Sequence, residues 1–108
     1  MASFFQTFST MLDARLPMKS VLEYTMRQTT AKPLERALNT VIRDVENGES
    51  LTLAMKKHPR VFDSRYVTVL EIGERANAID IAATQCAEMI RVEQEMKSEL
   101  RAALIYPS

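Results

Sequence analysis

Glu71 and Glu74 stand three residues apart, a spacing that puts two carboxylates on one face of a helix and could support acid–base work. Such carboxylates are ordinarily solvated or paired with a basic neighbour, here Arg75. No activated-nucleophile turn and no phosphate-cradling glycine loop accompanies them. The lone histidine, His58, precedes a proline. The lone cysteine, Cys86, falls on the apolar side of a helical pattern, where it reads as a small hydrophobe, excludes an internal disulfide and fits a reducing compartment. Zinc would have almost no ligands to draw on, and the carboxylates lack the clustered loop spacing of a calcium or magnesium cage. The residues point to no catalytic group, no cofactor and no intrinsic metal site.

Two further features carry weight. Lys56-Lys57-His58-Pro59-Arg60 is a short basic patch. It reads as a solvated turn, with Lys56, Lys57 and Arg60 the alternative contact for an acidic partner or lipid head groups. Gly73 is one of only two glycines in the chain and sits inside a helical pattern. Glycine there costs about 1 kcal/mol against alanine, which a close helix contact would offset.

The elements that position these residues follow from periodicity and punctuation. The chain has 108 residues, 46% of them hydrophobic, enough for one domain with a real core. Fourteen basic residues balance 14 acidic ones, which argues against a nucleic-acid binder. The N-terminus is no signal peptide, and no apolar window approaches a bilayer span, so the chain reads as soluble.

Six helices are expected and no strand. Ser3 caps the first, with Phe4, Phe5, Phe8, Met11 and Leu12 on one face. Arg15-Leu16-Pro17 breaks it, and Pro17 suits the first turn of the second, which carries Met18, Val21, Leu22 and Thr25. Pro33 opens the third, whose face is Leu34, Ala37, Leu38, Val41, Ile42 and Val45, ended by Asn47-Gly48 with Gly48 left-handed. Ser50 caps a short fourth helix closed by His58-Pro59. Asp63 caps the fifth, on which Tyr66, Val69, Leu70 and Gly73 share a face and which stops at Asn77. The sixth runs from Ile79 to Ile105, roughly 40 Å. Its seam is Ile79, Ala82, Cys86, Met89, Met96, Leu100 and Ala103, interrupted by Glu93, which has Lys97 four residues on as its favourable ion-pair partner. A helix of that reach outruns the shorter elements, so its far end is expected to meet a partner subunit, a second domain or a membrane. The fold class is all-α, an antiparallel six-helix bundle with a long C-terminal helix.

In order along the chain, the punctuation resembles the cytoplasmic F domain of type II secretion, a family of inner-membrane platform proteins of type II secretion and type IV pilus assembly. Leu12-Asp13-Ala14-Arg15-Leu16-Pro17-Met18 is similar to the family's Leu-x-Ala-Gly-Leu-Pro-Leu. Gly48-Glu49-Ser50-Leu51-Thr52-x-Ala54-Met55 is similar to Gly-x-Ser-Leu-x-x-Ala. His58-Pro59-x-x-Phe62 before Ile72-Gly73-Glu74 is similar to Pro-x-x-Phe before Gly-Glu-x-Gly-x-Leu. Ala103-Leu104-Ile105-Tyr106-Pro107 is similar to the Ala-x-x-Tyr-Pro at which such domains meet their first membrane span. Asn77-Ala78-Ile79 replaces Gly-x-Leu, and Arg15 replaces a glycine, which suggests a redrawn first turn.

The resemblance implies a non-enzymatic platform domain, residues 1–108, on the cytoplasmic face of the bacterial inner membrane, often dimeric. It implies an excised fragment of a larger membrane protein with transmembrane helices and a second copy of the domain. It implies the assembly ATPase and other inner-membrane assembly proteins as partners, and no nucleic acid. The structural motif residues on this reading are Pro17, Gly48, Gly73, Glu74, Asn77, Tyr106 and Pro107. A helical regulatory or nucleic-acid-binding module is the alternative, against which the neutral charge counts. A small enzyme is a third, which would need a polar pocket the sequence does not display.

Overall fold

The computed structural model of the chain describes residues 2–105; Tyr106 and Pro107 lie outside the described residues. Six helices follow one another: α1 Ala2–Asp13, α2 Met18–Gln28, α3 Lys32–Glu46, α4 Leu51–Lys56, α5 Ser64–Arg75 and α6 Ile79–Ile105. Among the described residues there is no strand. Each helix packs on its neighbours in sequence, and α1 also packs on α6, so the six form a closed ring. Short links between successive helices give the antiparallel up-and-down course.

The elements end where local chemistry ends them. After α3, Gly48 takes φ 93° and its N–H reaches the Val45 carbonyl at 3.0 Å, while the Glu49 N–H reaches that of Asp44 at 3.0 Å. This crossed pair of bonds satisfies carbonyls that the helix end would otherwise orphan. Asn77 (φ 55°) does the same after α5: its N–H bonds the Glu74 carbonyl at 3.2 Å, and that of Ala78 bonds Gly73 at 2.7 Å. Ser50 accepts from the Leu53 N–H at 3.2 Å and Asp63 from the Arg65 N–H at 2.9 Å, capping α4 and α5.

Three expectations about the turns need correction. Ser3 lies inside α1, which starts at Ala2, rather than capping it. Pro17, at ψ 145°, is extended and sits one position before α2; its carbonyl accepts the first helical bond, from Val21 at 3.0 Å. The turn after α1 is not redrawn around Arg15. Arg15 itself adopts φ 60°, the conformation a glycine would supply, with its N–H on the Leu12 carbonyl at 2.9 Å.

The core is built from one stripe of each helix. Phe4, Phe5 and Phe8 of α1 reach across to Phe62 and Tyr66, with ring centroids of Phe4 and Phe62 at 5.8 Å and of Phe5 and Tyr66 at 5.7 Å. Such edge and offset arrangements are the favourable ones for aromatic quadrupoles. Leu22, Leu38, Val41, Met55, Leu70 and Cys86 complete the buried centre. The radius of gyration, 15.1 Å, exceeds the roughly 13 Å expected for a compact chain of this length. The excess comes from α6, whose distal part projects along the 56 Å long axis.

Candidate functional site: the α5–α6 corner and the overhanging helix

Gly73 is buried where α5 turns into α6. A Cβ there would collide with the Cβ of Ala82 and stand 3.0 Å from the Ala78 carbonyl oxygen. The absence of a side chain lets the two helix axes meet, with Ala82 as the facing small residue. Asn77 closes the link, so Gly73, Asn77 and Ala82 together define the corner.

Glu74 works away from that corner. Its Oε2 accepts the Leu51 N–H at 3.0 Å and its Oε1 the Thr52 hydroxyl at 2.6 Å. A carboxylate from α5 thus satisfies a first-turn amide of α4 and meets the positive end of that helix. Glu71, one turn back, pairs with Lys56 at the other end of α4. That hydrogen bond holds the Glu71 carboxyl below its usual range. Six residues are too few for a stable helix by themselves, and α4 is fixed at both ends by α5. The two carboxylates share a helix but no common target, which leaves an acid–base pair without a geometry.

The basic patch is divided in the same way. Lys57 reaches Glu49 at 2.9 Å and Asp44 at 3.2 Å, and the Glu49 and Asp44 hydrogen bonds raise its pKa. With Lys56 on Glu71, two of the three cations suggested for partner contact are paired within the domain. Arg60 is exposed and makes no ion pair among the described residues. His58 shapes the loop instead, its carbonyl accepting the N–H groups of Val61 at 3.0 Å and Phe62 at 2.9 Å. Its Nε2 is buried without a hydrogen-bond partner among the described residues. Cys86 is fully buried, with Sγ 3.5 Å from the Tyr66 carbonyl, and burial pushes its thiol up to about 12. A thiol in that state is no nucleophile at neutral pH.

Glu93 is the residue whose role the periodicity concealed. It does not serve Lys97. Its Oε1 accepts Arg65 Nη1 at 2.6 Å, and its Oε2 accepts the Tyr66 hydroxyl at 3.1 Å. Arg65 in turn holds Asp63, the cap of α5, at 3.0 Å. Burial and then the bond to Glu93 raise the Tyr66 pKa. A lone acid on an apolar seam was the available signal: a carboxylate there needs a partner from another element.

Glu93 also marks where the body stops. Ala82, Ala83, Cys86 and Ile90 of α6 are buried against α1 and α5. Beyond Glu93 the same side of the helix carries Met96, Leu100 and Leu104, which are 57%, 61% and 78% exposed. The expected seam is therefore covered only as far as Met89, with Ile90 buried beside it, and Met96, Leu100 and Ala103 stand uncovered. No helix among the described residues is long and apolar enough to cross a membrane, and no three potential metal ligands cluster there.

The class that the fold defines is an all-helical ring whose last helix overhangs the body. Residues 4–108 match the family model described as type II secretion system (T2SS), protein F. The chain belongs to that family. It is 31% identical over 104 residues to the type IV pilus assembly protein PilC of Myxococcus xanthus, covering 96% of this chain and 25% of the relative. It is 31% identical over 107 residues to PilC of Thermus thermophilus, covering 99% of this chain and 26% of the relative. Against the type II secretion system protein F of Vibrio cholerae it is 25% identical over 99 residues, covering 92% of this chain and 24% of the relative. The chain thus spans about a quarter of the length of these relatives.

Proposed function

We propose that this domain is a non-enzymatic platform module of a type IV pilus or type II secretion assembly machine. It works at the cytoplasmic face of the inner membrane and holds the assembly ATPase and other inner-membrane components in place. The relatives' names supply the machine, and one structural observation supports the platform role: the apolar face of α6 leaves the bundle uncovered from Met96 to Leu104. A helix with half its face buried in a rigid body and half uncovered suits a part that carries position between the body and a neighbour. In this reading the distal half meets other parts of the machine, including the membrane region beyond Tyr106-Pro107 or a second copy. Gly73, Asn77 and Ala82 fix the direction in which α6 leaves, Glu74 ties α4 to α5, and Arg60 is the cation of the basic turn that makes no ion pair among the described residues.

Co-purification of the full-length protein with its assembly ATPase tests this reading. Removal of residues 1–108 should abolish pilus or pseudopilus assembly and ATPase retention, with the remaining protein still in the membrane. Normal assembly without the domain would overturn it.

A further inference from the structure

The overhang of α6 sorts its charges by side. Met96 and Leu100 set the line of its exposed apolar stripe, and Leu104 continues it. At about 100° per residue, Glu95 and Glu99 fall along one edge of that line, and Lys97 and Arg101 along the other. Each edge therefore places like charges four residues apart, an arrangement that destabilises a helix standing alone. The outer face of the packed half does the opposite, with Arg91 holding Glu88 at 2.6 Å and reaching forward to Glu95 at 2.8 Å. Lys97, Glu99 and Arg101 make no ion pair among the described residues. Over one stretch of helix the stripe is uncovered and its edges are unanswered.

These features limit what can cover it. Ala82 meets Gly73 of α5, and Glu93 meets Arg65 and Tyr66 of the same helix. Leu100 follows Glu93 by about two turns, so the stripe runs on from the side that α5 covers. The vacant space lies end-on to the first turn of α5. A second copy suits it badly: packed in the same direction, the two would bring their α5 ends into one space. Packed in opposite directions, they would set acid edge against acid edge and basic edge against basic edge. An anionic membrane surface would answer Lys97 and Arg101 but repel Glu95 and Glu99. A helix with the opposite order of charges answers both edges at once.

We propose that the overhang pairs with one helix of a separate partner protein. That helix lays an apolar seam on Met96, Leu100 and Leu104, with basic side chains along the Glu95–Glu99 edge and acidic ones along the Lys97–Arg101 edge. Charge at every second position from Glu95 to Arg101 keeps the stripe soluble while the partner is away. A cover built permanently into the body has no such need, and α1, packed on the other half of α6, carries no charge from Ala2 to Leu12. The inference deepens the platform reading and rests on it for one point only, that the partner belongs to the pilus or secretion machine.

Photo-crosslinking in the native cells tests it, with p-benzoylphenylalanine introduced into the full-length protein at Leu100 and separately at Ser98 on the opposite side of α6. Position 100 should give one discrete adduct with another polypeptide, mapping to a helix with basic residues along one edge of an apolar seam and acidic residues along the other. Lys97→Glu with Arg101→Glu should cut that adduct about tenfold or more, and so should Glu99→Lys. Lys97→Arg and Glu99→Asp, which keep the charges, should leave it intact. These positions are exposed, so the variants should fold like the parent. No adduct at position 100, an adduct within the same chain, to a second copy or to lipid, or an adduct indifferent to the charge reversals would overturn the proposal. No adduct at 100, in a protein that still loses assembly when residues 1–108 are removed, would refute the pairing and leave the platform reading standing. A helix of the required charge order, captured from a protein foreign to such machines, would do the reverse.

Discussion

The two halves of α6 are one continuous helix with opposite fates. From Ile79 to Glu93 its inner side is buried among α1 and α5; from Gln94 to Ile105 every residue whose exposure is described faces solvent. Helix propensity does not separate them, since both halves are rich in Ala, Glu, Met and Leu or Ile. Cover does. The difference teaches that this helix is held by packing on one side of Glu93 and waits for packing on the other. The Arg65–Tyr66–Glu93 cluster is the boundary stone between the two regimes.

Substitutions can break that contrast in order of expected size. Gly73→Leu, at the corner where the packed half begins, forces a side chain into Ala82 and should cost about 3 kcal/mol or more in chemical denaturation. Unchanged stability would remove the close-contact account of the corner. Ile90→Ala empties a buried site and should cost about 2–4 kcal/mol. Glu93→Gln keeps the shape but loses the charge that holds Arg65, so its cost in the same titration should fall below that of Ile90→Ala. Leu100→Ala, in the overhang, should stay within about 0.5 kcal/mol in the isolated chain. A cost at Leu100 equal to that at Ile90 would mean the overhang is already covered.

The packed half also carries a pH signature. The Cys86 thiol is raised from 9.0 to about 12 in the fold, so between those values the unfolded chain loses a proton that the native state retains. Stability should be fully present below pH 9 and fall as pH rises above it. In alkaline denaturation curves, Cys86→Ala should flatten that decline. Tyr66, raised above its ordinary 10.0, adds to the decline in the same direction. A slope unaltered by Cys86→Ala would show that the thiol ionises as easily in the fold as outside it.

Much of the fold was legible because its punctuation is local. Asn47-Gly48, Ser50, Asp63 and Asn77 each act on backbone groups within a few residues, so their types alone place the helix ends. The order of motifs also located the family. Arg15 was less legible, because nothing in an arginine announces a left-handed backbone. The site was harder still. Glu93 finds its partners 27 and 28 residues away, and Glu74 reaches 22 and 23 residues back. A periodicity reading offers only neighbours on the same helix, and so it assigned Glu93 to Lys97 and left Lys56 and Lys57 free for partners. The seam running past Glu93 was read as continuous for the same reason: spacing reports a face, not what covers it.

Residue-resolved hydrogen–deuterium exchange along α6 tests the central claim most directly. In the isolated chain, amides from Ala83 to Val92 should exchange only by opening of the whole bundle. Those beyond Glu95 should exchange at least about 100-fold faster through fraying of an uncovered end. Equal protection on both sides of Glu93 would contradict the account, because it would show that the distal half is held without a partner.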